Sequence, residues 1–94
     1  MEKTIDVKQN EERFYVELEG ETAIISYEML SPEVIDFQHT VVPEKFRGQG
    51  IAEAMAAKAL DYSKEKKFKV RASCRFISSY IKRNTQYQDL LEGN

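Results

Sequence analysis

The stretch Val41-Val42-Pro43-Glu44-Lys45-Phe46-Arg47-Gly48-Gln49-Gly50-Ile51-Ala52 decides how this chain is read. Residues 34–42, ending in it, are rich in β-branched side chains and predict a strand. From residue 51 to about 66 the chain is dense in helix formers, with alanines at 52, 54, 56, 57 and 59. Ile51, Met55, Ala59 and Tyr62 share one face of that helix, and Glu53, Lys58, Asp61 and Glu65 lie toward water. The stretch is therefore a strand-to-helix junction with a glycine on either side of Gln49. The first-turn backbone N–H groups of a helix are free and the dipole is positive there, which makes an anion site suited to phosphate. Arg47 adds a full charge beside it. A Gly-x-Gly before a helix is equally the mark of a tight turn that binds nothing. No Gly-Lys-Ser/Thr follows, so this is not a nucleotide P-loop, and the third glycine of the dinucleotide fingerprint is missing.

Upstream, Phe14, Val16 and Leu18 alternate with period two and predict a strand. Residues 19–21 turn, residues 23–27 start a second strand, and Ser31-Pro32-Glu33 turns into the third. Connections this short make an antiparallel meander. Downstream, residues 68–73 alternate again. Strand, helix and strand then form a parallel crossover, right-handed by strong preference. Residues 76–84 predict a second helix, and residues 85–94 a closing turn packed through Tyr87, Leu90 and Leu91. The expectation is an α/β fold: a mixed, mostly antiparallel sheet with one β-α-β crossover, as a single domain over residues 1–94.

The composition narrows the chemistry. The chain has 94 residues, 41% hydrophobic and 32% charged. It holds no apolar run of ~20 residues, so no membrane-spanning helix is expected. Met1-Glu2-Lys3-Thr4-Ile5-Asp6 lacks the apolar centre of a secretory signal, which points to the cytoplasm. One cysteine and one histidine cannot form an intrachain disulfide or a four-ligand zinc site, so no metal is expected. The net charge of −2 divides into −6 over residues 1–33 and +4 over residues 34–94. That division suits a small polyanion held by the second part, or a solvated surface of mixed sign. It is too mild for a nucleic-acid binder. A domain of this size buries only roughly 60–65% of its unfolded surface, so a monomer or weak homodimer is expected.

The junction resembles something specific. Arg47-Gly48-Gln49-Gly50-Ile51-Ala52 fits the [Arg/Gln]-x-x-Gly-x-[Gly/Ala] signature of the GNAT superfamily of acyl-CoA N-acyltransferases, and Val42-Pro43-Glu44-Lys45-Phe46 resembles its approach. His39-Thr40, Ala72-Ser73-Cys74 and Tyr87-Gln88-Asp89 are similar to very short members of that group. The resemblance implies acetyl-CoA as the bound cofactor and an amine, on a small molecule or a protein, as acceptor. The amides of Gln49, Gly50, Ile51 and Ala52 would bind the diphosphate, with Gly48 leaving room and Arg47 adding charge. The backbone of Thr40, Val41 and Val42 would pair with pantetheine. The thioester would lie where this strand and the strand over residues 68–73 splay apart. Larger members carry two helices between their first strands, and residues 20–33 have no room for them. The cofactor half of the resemblance therefore carries over and the acceptor half does not. The alternatives are a CoA-binding module without catalysis and a protein-interaction domain.

Acyl transfer needs a neutral amine, a polarised carbonyl and a proton for the leaving thiolate. Backbone N–H groups near Val41 and Val42 are candidates to polarise the carbonyl. His39 is a candidate general base. Its parity with Ile35, Phe37 and Val41 equally makes it a part-buried core histidine. Cys74 is a candidate nucleophile that accepts the acyl group and passes it on, with Arg71 and Arg75 as candidate positive partners. Its parity with Phe68, Val70 and Ala72 equally makes it an inert buried cysteine. Tyr80 is a candidate proton donor to the leaving thiolate, or a core residue.

Overall fold

A computed structural model describes residues 5–92. Residues 1–4 and 93–94 lie outside it, and with them most of the stretch read for a signal and the last two residues of the closing turn. The sheet has five strands in chain order: β1 (Lys8–Gln9), β2 (Arg13–Leu18), β3 (Glu21–Ser31), β4 (Val34–Val41) and β5 (Lys69–Ala72). Each neighbouring pair is antiparallel except β4 and β5, which are parallel. A 3-10 turn (Glu44–Phe46) leads to α1 (Ile51–Glu65), the crossover between β4 and β5. After β5 come α2 (Arg75–Arg83) and a second 3-10 segment, Thr85–Leu90. The mixed, mostly antiparallel fold expected from the sequence is the fold observed. The short β1 was not anticipated.

Local chemistry explains the elements. Leu18 pairs with Glu21, so Glu19 and Gly20 make a two-residue hairpin, both at positive φ (44° and 85°). Two positive φ values match the right-handed twist of the flanking strands. The inward residues of the strands, Phe14, Val16, Ala23, Ile25, Tyr27, Ile35, Phe37 and Val70, form one core with the helices. The alanines of α1 let it lie close, with Met55, Ala56, Ala59 and Leu60 buried. Phe14 sits in the middle, 5.4 Å from the Tyr27 ring and 5.6 Å from the Tyr62 ring. Ser63 is buried at no polar cost because its Oγ donates to the Ala59 carbonyl at 2.9 Å.

One irregularity in β4 places the rest. Tyr27 pairs with Phe37, but Ser26 pairs with His39, so Gln38 is an extra residue on β4. Such a bulge reverses which face the following residues present. Thr40, opposite Ile25, turns toward the helices. His39, opposite Ser26, and Val41, opposite Ile24, turn away. His39 is exposed and Val41 is 52% exposed. This overturns the part-buried His39 aligned with Ile35 and Phe37, an inference that assumed unbroken alternation.

Candidate functional site

The junction is built as an open cradle. Gly48 and Gly50 have φ of 81° and 80°, a left-handed backbone that disfavours any other residue type. Gly50 is the residue before α1, and its carbonyl accepts from the Ala54 N–H at 3.0 Å. Among the described residues, no side chain caps this end of the helix. The first-turn N–H groups of Ile51, Ala52 and Glu53 thus have no partner within the helix. A Cβ added at Gly48 or Gly50 would meet nothing within 4 Å. In front lies a cleft of about 360 Å³ lined by Val42, Phe46, Arg47 and the turn itself. The Arg47 Nε donates to the Val42 carbonyl at 3.2 Å, which holds the guanidinium at the rim. Glu53 also lines this cleft. It favours the apo helix through the dipole and opposes an incoming anion. A second cleft of about 410 Å³ shares Phe46, Gln49 and Ile51 with this junction, and its rim carries Asp6, Glu17 and Glu19 beside Lys8, which is paired with Glu17.

The second part of the site is a gap in the sheet. Pairing of β4 with β5 ends at Phe37 and Ala72, while β4 keeps its β3 partners through Val41. The N–H of Cys74 donates to the Phe37 carbonyl at 2.8 Å and closes the inner end of the gap. Beyond it, among the described residues, no strand lies beside the β5-side edge of β4 over residues 38–41. Thr40 and Val41 of the expected pantetheine edge lie here, and the Val42 carbonyl is the one held by Arg47.

Cys74 is 6% exposed, and its Sγ lies 3.1 Å from Thr40 Oγ1. Its burial does not follow from strand parity, because β5 ends at Ala72 and Cys74 is the residue just before α2. Arg71 is no partner for it. That side chain is on the other face of the sheet and donates from Nε to Glu92 at 2.8 Å. Arg75 is exposed in the first turn of α2.

Tyr80 is half-buried, packed between Phe76 and Tyr87, each ring 6.2 Å away. Burial, followed by the charges of Asp61 and Glu53, raises its phenol above the ordinary value, with Arg83 opposing. The Tyr87 hydroxyl donates to Asp61 Oδ1 at 2.7 Å, tying the closing segment to α1. Burial and that bond push Tyr87 up to about 12. The structure thus joins Thr40 and Cys74, sets Tyr80 at the contact between the helices, and leaves His39 on the far face. Sequence reasoning missed Gln38, the side-chain role of Thr40, and the Tyr87–Asp61 bond. The one available signal for the first two was Gln38-His39-Thr40, three consecutive polar residues in β4.

The sequence profile of the GCN5-related N-acetyl-transferase family matches residues 13–90, and the chain belongs to that family. It is 38% identical over 84 residues to Protein NATD1 of Mus musculus, covering 85% of this chain and 76% of that one. With Protein NATD1 of Gallus gallus it shares 37% identity over 94 residues, covering 94% and 86%. Among solved structures it resembles a Staphylococcus aureus protein determined by NMR in solution and described as GCN5-like. The TM-score is 0.76 at 28% identity, over 96% of this chain and 90% of the other.

Proposed function

We propose that the chain moves an acetyl group from acetyl-CoA to an amine in two steps through Cys74. The observation that carries this reading is the uncapped start of α1, open on a cleft beside the strand gap that holds Cys74. Unpaired N–H groups and a positive dipole suit a diphosphate, and the free edge of β4 suits an extended amide-bearing arm. Bound there, acetyl-CoA supplies a thioester, an acyl group already activated for transfer. Cys74, as thiolate, attacks the thioester carbonyl carbon, and the bond to the CoA sulfur breaks. Tyr80, on α2, is the candidate proton donor to the departing sulfur. A neutral amine then attacks the S-acetyl group on Cys74. The amide forms, the carbon–sulfur bond breaks to return Cys74 as thiolate, and the proton shed by nitrogen restores the Tyr80 phenol.

Two measurements test this. A ligand at 100 times its Kd stabilises by ~2.7 kcal/mol, which for a domain this small raises Tm by about ten degrees or more. Unchanged Tm with saturating CoA and acetyl-CoA refutes the donor site. Intact-mass analysis after incubation with acetyl-CoA is expected to show one added acetyl group, absent in Cys74→Ser. Full turnover by Cys74→Ser with no adduct on the native protein removes Cys74 from the route. A CoA-binding module without turnover is the second reading, favoured by the deep burial of Cys74. A rise in Tm with no transfer to any amine would decide for it.

A further inference from the structure

Asp61 lies on the solvent side of α1, and its Oδ1 accepts from the Tyr87 hydroxyl at 2.7 Å. Tyr87 is 6% exposed, so this bond anchors an enclosed ring. That ring is stacked on Tyr80, with centroids 6.2 Å apart and planes inclined by 29°. Phe76, one turn earlier on α2, packs against the same Tyr80 ring at 6.2 Å. The Tyr80 backbone is held as well, because the N–H and the side-chain amide of Asn84 both donate to its carbonyl at 2.9 Å. The Tyr80 hydroxyl itself makes no hydrogen bond among the described residues. Ring and backbone are thus fixed around a hydroxyl that stays free to donate. After burial, the charges of Asp61 and Glu53 on α1 raise this phenol, and Arg83 of α2 opposes them. The Thr85–Leu90 segment brings the Tyr87 phenol against it. Residues 53, 57 and 61 share one stripe of α1, and Glu53 also lines the cradle cleft. Tyr80 therefore faces the stripe that runs from that cleft to Asp61.

We infer that Asp61 is a positioning residue for acetyl transfer, which through the Tyr87 ring sets where the Tyr80 hydroxyl can donate. The inference rests on the acetyl-transfer reading, in which Tyr80 protonates the CoA sulfur, and adds a residue that acts only through two others. Two properties of the carboxylate can be separated. Its oxygen ties the closing segment to α1 and so fixes the ring stacked on Tyr80. Its charge opposes formation of a phenolate on Tyr80, so the donor keeps its proton to a higher pH. Asp61→Asn keeps an oxygen for the Tyr87 hydroxyl and removes the charge. Asp61→Ala removes both. Tyr87→Phe removes the tie and leaves the ring and the charge.

The test follows release of CoA as Cys74 is acetylated, with the full chain and acetyl-CoA alone, at a temperature where every variant is folded. The native rate is expected to decline at alkaline pH as Tyr80 loses its proton. In Asp61→Asn this decline begins at lower pH, with the neutral rate kept. In Asp61→Ala and in Tyr87→Phe the neutral rate drops by about five- to tenfold, with Kd for acetyl-CoA unchanged. In a Tyr80→Phe background, Asp61→Ala causes no further loss. Native rates with an unmoved alkaline decline in all three single variants overturn the inference. So does a further loss in the Tyr80→Phe background, or an effect confined to weaker acetyl-CoA binding. A second readout needs no turnover. With tyrosines labelled at Cζ, the Tyr80 resonance follows ionisation of its own phenol, and Asp61→Asn is expected to bring that titration to lower pH. No change there overturns the inference whether or not Cys74 is acetylated. Absence of the acetyl adduct, with the Tyr80 titration still displaced, would strike the two-step reading alone.

Discussion

Thr40 Oγ1 and Cys74 Sγ lie 3.1 Å apart across the opening between β4 and α2. The two residues meet because Gln38 bulges and turns Thr40 toward the helices. The hydroxyl is the polar partner of a sulfur that is otherwise enclosed. Thr40→Val keeps the shape and removes that partner. A hydrogen bond of this kind is worth about 1 kcal/mol, so Cys74 is expected to acetylate roughly fivefold more slowly, read as the rise of the acetyl adduct with time. An unchanged rate would separate the hydroxyl from the chemistry.

Gly50 is held by its backbone angle and not by crowding, since a Cβ there would touch nothing. Gly50→Ala is therefore expected to cost about 1–2 kcal/mol through left-handed strain alone. For a domain of this size each 1 kcal/mol lowers Tm by about 4–8 °C. CoA should bind more weakly as well, because the strained turn carries the amides of the cradle. A calorimetric titration at a temperature where the variant is folded separates the two effects.

Glu53 stands at the cleft as the one acidic side chain in the first turn of α1. Its attraction to the helix end, about 0.3–1 kcal/mol, becomes repulsion once an anion binds. Glu53→Gln is expected to tighten CoA about two- to fivefold, and the gain should fade as salt is added. A weaker complex in the variant would mean that the diphosphate does not sit there.

Tyr87 gives a pH dependence of definite sign. Its phenol titrates at about 12 in the folded chain, against 10.0 for the free side chain, chiefly through burial and then the bond to Asp61. The unfolded chain therefore loses this proton first as pH rises. The stabilisation is complete below pH 10 and is lost as pH climbs toward 12. Tyr87→Phe should be less stable than the native chain near neutrality, for want of the Asp61 bond, and should show a shallower decline across that alkaline window. Urea unfolding at a series of pH values reads both.

His39 is exposed beside Ser26, on the face away from Cys74. His39→Ala is expected to change stability by less than about 0.5 kcal/mol and to leave formation of the acetyl adduct unaltered.

The crossover and the cradle were legible because each has a local cause. Alternation in residues 14–18, the alanine run of α1 and the glycines of the turn speak for themselves in sequence. The bulge does not, since inserting Gln38 changes no composition and only shifts register with respect to β3. The face read for His39 and Val41 from their parity with Ile35 and Phe37 is therefore inverted. Cys74 reads in sequence either as a nucleophile or as a buried strand cysteine; it is buried, but as the residue that precedes α2 rather than as a strand position. Asp36 drew no notice because a charged residue in a strand is ordinarily assumed to face water, and here it is enclosed.

The extra residue in β4 makes one strand serve two surfaces. Its first half shows a carboxylate to one side, and its second half shows a hydroxyl to the other. Between them stands a partition one peptide plane thick. A scaffold this small thus turns a polar side chain toward the gap by a single added residue, with no extra lobe.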